Sequence, residues 1–497
     1  MGKIRKFIVD HDRKIHRALE ILPGVVAYSM ILFLLIGGFL IPTTVAYTVL
    51  AYDIFWLYKS VSIAITGILA HLRIEAAKKM DWLGEVKFFE DWRRVHHLII
   101  IVTVNEPLHI LRRNLKALAE QDFPLKQITV VIATEARAEL GQQNAKILEK
   151  DCGKKFGNFF ITVHKLASGE IIGKASNENY AARWAKQELV NRRGMDINYL
   201  TISSCDADHK YHPKHFSYLA YAFLDNPHRY RRFWQPAIQY YNNFWRLPAL
   251  SRVANTIGGI WNMAVLTRTD RLVNFQNYST SLKMIDQVGY WDPDIIPEDY
   301  RIFFKCFYKF KGQVEVEPIF LPLQVDAAES TTFLKTFKNQ YEQFKRWAWG
   351  VSDDPYIIKN YFLTPGVSFW NKTIRVVRIV EDHFLWPVNW FFITLGITLP
   401  SIFNRRFSRT IMGYTLPRLS STILSFTLIF MVIILIIDAK QRPPRPKEFP
   451  RWRVWLIPLE FILMPIAGFF FTALPGLDAQ TRLMLGKYLE YRVTEKV

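Results

Sequence analysis

Cysteine is scarce. Cys152, Cys205 and Cys306 stand far apart in a chain of 497 residues. That excludes a disulfide framework and a cysteine zinc site, and it fits a reducing cytosol. Charge is missing from whole stretches. Residues 21–52, 384–404 and 419–437 carry none, and 454–477 carry only Glu460. About 20 apolar residues in a helix cross a bilayer core, so an ordinary soluble chain is excluded. Three C-terminal stretches and the 21–52 run are span candidates. Pro42 divides that run into one helix near 22–41 and a second near 43–70, which Asp53 and Lys59 interrupt. The first run is too long, and lacks the small-residue flank, for a cleaved signal peptide. Internal repeats and low-complexity linkers are also absent.

What is abundant is apolar and basic: 50% of the chain is hydrophobic, 15% is aromatic, and the formal net charge is +20. A basic chain could bind nucleic acid. Here the cations crowd the apolar runs instead, at Lys3, Arg5, Lys6, Arg13, Lys14 and Arg17, and again at Arg442, Arg445, Lys447, Arg451 and Arg453. Anionic headgroups and the positive-inside bias produce that distribution. The expected partner is the lipid bilayer, with no nucleic acid.

Strand-like runs at 98–104, 128–133, 159–163 and 199–203 alternate with helix-like segments such as 108–120 and 175–190. This alternation predicts a parallel, Rossmann-like α/β sheet. The expected layout is a cytoplasmic N-terminus (1–21), two transmembrane helices (22–72), the α/β domain (96–350), interfacial helices (351–382), about three transmembrane helices (383–477) and a tail (478–497). A basic N-terminus inside, followed by two spans, returns the α/β domain to the cytoplasm, as expected of a multi-pass plasma-membrane protein. Three further spans would carry the tail outside unless one segment is re-entrant or interfacial, and both layouts stay open.

Ligands of such sheets sit beyond the carboxyl ends of the strands. Asn105-Glu106, Thr134-Glu135 and Asp206-Ala207-Asp208 occupy those ends. Two carboxylates at i and i+2 make a compact oxygen site for Mg²⁺ or Mn²⁺, which also take substrate phosphates. Pro297-Glu298-Asp299 opens a predicted helix. There an acidic residue can act as an N-cap, as a general base, or as both. Gln343, Arg346 and Trp347 fall at i, i+3 and i+4 on one helical face. They suit phosphate oxygens and a sugar ring, or alternatively a headgroup interface. Gly173-Lys174 at a helix start favours an anion, or alternatively is an ordinary exposed helix N-terminus.

Taken in order, these elements resemble the family 2 glycosyltransferases, in particular the membrane-bound group of cellulose, chitin and hyaluronan synthases. The segments are Thr103-Val104-Asn105-Glu106-Pro107, Gly173-Lys174-Ala175-Ser176-Asn177-Glu178-Asn179, Asp206-Ala207-Asp208-His209, Pro297-Glu298-Asp299 and the Gln-x-x-Arg-Trp at 343–347, with Arg492-Val493-Thr494-Glu495-Lys496 at the end. The resemblance implies a GT-A fold and inversion at the anomeric carbon. Asp206 and Asp208 would bind Mg²⁺ or Mn²⁺ and the donor diphosphate, with Lys174, Gln343 and Arg346 holding that diphosphate. Asp299 would be the base, and Trp347 would floor the acceptor site, with Glu298 beside it. Asn105 and Glu106 would lie near the nucleotide.

Two departures from the family pattern matter. Glu135 stands where the family has paired aspartates, which leaves the donor UDP- or GDP-linked. Asn277-Tyr278-Ser279 stands for an acceptor-bordering turn, so Tyr278 and Ser279 are acceptor candidates. The expected activity is metal-dependent hexosyl transfer from a nucleotide sugar to a growing polysaccharide or glycan. Single addition to a polyprenyl-phosphate or glycolipid is the alternative. A transporter or flippase is the non-enzyme reading, disfavoured by the few charges within the spans.

Overall fold

The computed structural model describes residues 2–490, so the 492–496 segment lies outside the described residues. The uncharged N-terminal run forms α1 (Asp12–Leu40) and α2 (Pro42–Lys79). They break at Ile41-Pro42, where proline at the first helical position forfeits no hydrogen bond. At 1.5 Å per residue α2 is about 57 Å long, well beyond a bilayer core. Its C-terminal part leaves the helical bundle, and Ala70, Ile74 and Ala77 join the core of the α/β domain.

That domain is built from β1 (His96–Val102), α3 (Leu108–Ala119), β2 (Ile128–Glu135), β3 (Asn158–His164), α4 (Lys174–Lys186), β4 (Leu200–Asp206), β5 (Lys210–Tyr211), β6 (Arg232–Gln239), α5 (Ala249–Val265), β7 (Tyr278–Ser281), α6 (Glu298–Lys309), β8 (Glu315–Gln324) and α7 (Phe333–Ala348). The sheet runs β3-β2-β1-β4-β7-β6-β8-β5. β1 to β4 are parallel, and β7 pairs antiparallel with β4 and β6. Helices cover both faces, and β1 and β2 are accordingly apolar runs rather than alternating ones. Register sets the site. Val102 pairs with both Ala133 and Asp206, so the chain leaves β1, β2 and β4 along one edge.

Beyond the domain lie α8 (Phe369–Thr394), α9 (Ile411–Gln441) and a broken helical segment from 451 to 484. Among the described residues four helices are long and apolar enough to cross a membrane: α1, α2, α9 and Arg451–Met484. α8 runs antiparallel to α2. Glu381 pairs with Lys59, Asn389 accepts a hydrogen bond from Tyr52 at 3.1 Å, and Val388 and Phe392 pack with Val45 and Val49. Asp53 is fully buried between α2 and α9, where the Ser420 hydroxyl donates to it at 2.6 Å. The 451–484 segment meets the α/β region at both ends. Ile457 packs with Tyr241 and Phe244, and Ala479 and Leu483 pack with Trp349 and Val351.

Candidate active site

A cavity of about 480 Å³ opens at that strand edge. Its wall includes Glu106, Glu135, Lys174, Asp206, Asp208, Glu298, Asp299, Gln343, Arg346 and Trp347. Residues separated by more than 200 positions are thus brought together. Asp206, Asp208 and His209 each offer a ligand atom, and these atoms lie within 4.8 Å of one another. Hard carboxylate oxygens with an imidazole nitrogen suit a divalent cation. The site is also pre-shaped. Asp208 Oδ2 accepts from the Asp326 N–H at 2.8 Å, and the Asp206 N–H donates to His209 Nδ1 at 3.1 Å, which leaves Nε2 facing the Asp206 carboxylate at 3.6 Å.

Lys174 is the centre of the arrangement. Its buried ammonium lies 3.0 Å from Asp206 Oδ1 and 3.1 Å from Glu298 Oε1, and it donates to the Gln276 carbonyl at 3.0 Å. Burial works against its charge, but Asp206, Glu298 and Glu178 more than offset that, and its pKa is raised. Glu178 lies one helical turn along α4. It is fully buried beside Ser204, and burial pushes its carboxyl up to about 8.

Asp299 sits in the first turn of α6. Its two oxygens accept separately, Oδ2 from the Gln276 N–H at 2.8 Å and Oδ1 from the Tyr300 N–H at 2.9 Å. Gln276 has φ +53°, a strained conformation for a residue with a side chain, of a kind that gathers at functional sites. Burial raises the Asp299 and Glu298 carboxyls, the former against the pull of the two N–H groups and Lys174.

On α7, Gln343 accepts from Gln340 at 3.1 Å, and Trp347 packs against Tyr240 and Phe344 with ring centroids 5.8 and 4.8 Å away. Glu106 folds back over β1, accepting from the Thr103 hydroxyl at 2.6 Å and the Val104 N–H at 2.7 Å. Glu135 accepts from Arg137 at 2.5 Å.

Residues 201–437, a little under half of the chain, match the family model described as glycosyl transferase family group 2. The chain is a glycosyltransferase. Its fold is of the GT-A type, with a mixed sheet whose parallel part carries the acidic site at the carboxyl end of the central strand β4. Solved structures that resemble the glycosyltransferase include a mannosyltransferase from Pyrobaculum calidifontis in complex with GDP-Man and Mn²⁺. That protein is 13% identical, with 79% of this chain and 98% of that one covered, at a TM-score of 0.44. Another is S. aureus TarS 1–349 in complex with UDP-GlcNAc, 13% identical, with 80% and 93% covered, at 0.38. No curated protein matches the chain.

Three of the expected positions do not line the cavity. Asn105 is exposed. Tyr278 and Ser279 belong to a strand, not to a turn. The Tyr278 hydroxyl accepts from Trp291 Nε1 at 2.6 Å, and Ser279 bonds Ser203 across the sheet at 2.7 Å, both fully buried. Conversely, Gln276, Asp326 and His383 line the glycosyltransferase's cavity without belonging to any motif. Asp326 has a usable signal, since it lies two residues beyond the end of a strand, as Asp208 does.

Proposed function

We propose that the protein transfers a hexose from a UDP- or GDP-linked sugar to a glycan, with inversion and with a divalent metal. The observation that carries this is the convergence of Asp206, Asp208, Asp299, Gln343 and Arg346 on one cavity. The donor diphosphate lies at Asp206 and Asp208, with Gln343 and Arg346 across from it. The negative charge of that leaving group is what a divalent cation held by the two carboxylates would neutralise. Glu106 and Glu135 border the nucleoside end. Asp299 takes the proton from the attacking acceptor hydroxyl. Lys174 stands between the Asp206 side and the Glu298-Asp299 side, so departure and attack occur on opposite flanks, as a single inverting displacement requires. Trp347 offers the acceptor ring a flat face. Treatment with EDTA is expected to lower turnover on the order of 100-fold, and Mn²⁺ or Mg²⁺ should restore it. Undiminished turnover in EDTA, measured as release of nucleoside diphosphate, would refute the assignment of Asp206 and Asp208.

The same reading sets the α/β domain on the cytoplasmic face of the plasma membrane. The crossings are α1, α2, α8 continuing through 399–403, and α9. The antiparallel packing of α8 on α2 supports this. The 451–484 segment then lies along the interface rather than making another crossing, because both its ends contact the α/β region and Pro458, Pro465 and Pro475 interrupt it. The domain side gathers the six cations between Lys3 and Arg17 and the five between Arg442 and Arg453, against Arg405, Arg406, Arg409 and Arg418 on the far side. In a variant lacking the native cysteines, Arg409→Cys should react with an impermeant maleimide on intact cells. Lys447→Cys should react only after permeabilisation, and the reverse pattern would invert the topology.

A further inference from the structure

The cavity continues past Asp299 to the level of the membrane helices. Its far wall is formed by Trp56 and Lys59 of α2, Trp261 of α5, and Glu381, Trp386 and Asn389 of α8. None of these has a part in the chemistry above. The wall is rich in charge yet balanced. Lys59 pairs with Glu381, Arg378 lies 3.7 Å from Asp382, and His383 Nδ1 lies 2.7 Å from Asp354. Recognition of a lipid phosphate needs cations whose charge is not already spent, ideally in bidentate geometry. Here each cation of the far wall faces a carboxylate of its own.

A sugar ring makes the opposite demands. It needs flat apolar surfaces for its C–H faces and paired donors and acceptors for its hydroxyls. Trp56, Trp261 and Trp386 supply the surfaces. Glu381, Asp382 and Asn389 supply acceptors. The indole N–H of Trp386 is buried without a hydrogen-bond partner in the protein, a state that native structures resolve with a ligand or water.

We propose that this end of the cavity is the acceptor subsite, and that it takes the uncharged end of a glycan rather than the phosphate of a polyprenyl carrier. This rests on the glycosyl-transfer reading above. The indoles stack the terminal residue or its neighbour, and the neutralised side chains fix its hydroxyls. Chain length is accommodated toward the bilayer boundary between α2 and α8.

The test is a tryptophan-fluorescence titration of the full chain in detergent with cellotetraose, chitotetraose, mannotetraose and farnesyl phosphate, alongside UDP and GDP with Mn²⁺. At least one tetrasaccharide should bind saturably, and farnesyl phosphate should not compete with it. Trp386→Leu should weaken the sugar about tenfold, the worth of one good stacking contact, without changing nucleotide affinity. Glu381→Gln exposes the charge of Lys59 and should confer farnesyl phosphate binding that the wild type lacks. Saturable farnesyl phosphate binding by the wild type overturns the proposal, and so does nucleotide binding without any tetrasaccharide binding. If neither nucleotide binds, the glycosyl-transfer reading falls and this inference falls with it.

Discussion

Asp299→Asn is expected to cut turnover by about 100-fold to 10,000-fold, the contribution of a positioned general base, while nucleotide affinity stays within a factor of two or so. The geometry makes the exchange more than a loss of charge. Both carboxylate oxygens accept a backbone N–H, from Gln276 and from Tyr300. An amide can accept only one of them and turns its own N–H₂ toward the other donor. About 1–3 kcal/mol of stability should go as well, so the melting temperature must be measured beside kcat. Asp299→Glu separates the two effects, because it keeps a base and both acceptor oxygens while moving them. The pH profile is the sharper readout. Burial raises the Asp299 carboxyl above its ordinary value of 3.8, and a base works only when ionised. Turnover should therefore fall as pH drops through that raised pKa, and this acid limb should vanish in the Asn variant. An Asn variant with wild-type turnover and an unchanged acid limb would remove Asp299 from the mechanism.

How much of this was legible beforehand depended on whether the signal was local. Asp206 and Asp208 could be read because β4 is an unbroken, largely buried strand that ends on Asp206, two residues before Asp208, and register with β1 makes that end a ligand edge. Gln343, Arg346 and Trp347 could be read because helical spacing places them on one face. Tyr278 and Ser279 stand where the family resemblance implies an acceptor-bordering turn, but the chain builds β7 there instead. The structure uses its hydroxyls across the sheet, Ser203 to Ser279, and its phenol toward Trp291. Gln276 was invisible for a different reason. Its contribution is backbone, an N–H to Asp299 and a carbonyl to Lys174, and side-chain identity does not announce backbone geometry. The far wall of the cavity lay between these extremes. Lys59 interrupts an apolar run, which marks it as costly and therefore interesting, but its partner Glu381 is more than 300 residues away and nothing local pairs them. The Lys59–Glu381 pair is long-range, whereas Arg378 and Asp382 pair locally at i and i+4 within α8.

Lys174→Met should be the most damaging substitution for the fold of the site. The ammonium is 7% exposed and sits between Asp206 and Glu298, with Glu178 beneath it. Removing one partner of a buried ion pair leaves the other charge uncompensated, at a cost of about 3–5 kcal/mol. Here two carboxylates lose their direct partner at once. The cost has a defined pH dependence. Without Lys174 the Glu298 carboxyl, already raised by burial, is pushed further above its unfolded value, so the folded state holds a proton that the unfolded state has released. Stability then declines as pH rises, and the deficit relative to wild type should be larger at pH 8 than at pH 6. Glu178, already pushed up to about 8 by burial, adds its own ionisation at the top of that range. Lys174→Arg retains the charge but replaces a compact three-donor head by a planar fork. It should recover part of the stability and little of the activity, because Asp206 and the Gln276 carbonyl cannot both be reached with the same geometry. Thermal unfolding in detergent across pH 6–8 distinguishes these outcomes. A Met variant as stable as wild type, with a difference that does not grow with pH, would show that Lys174 is not what holds the two halves of the site together.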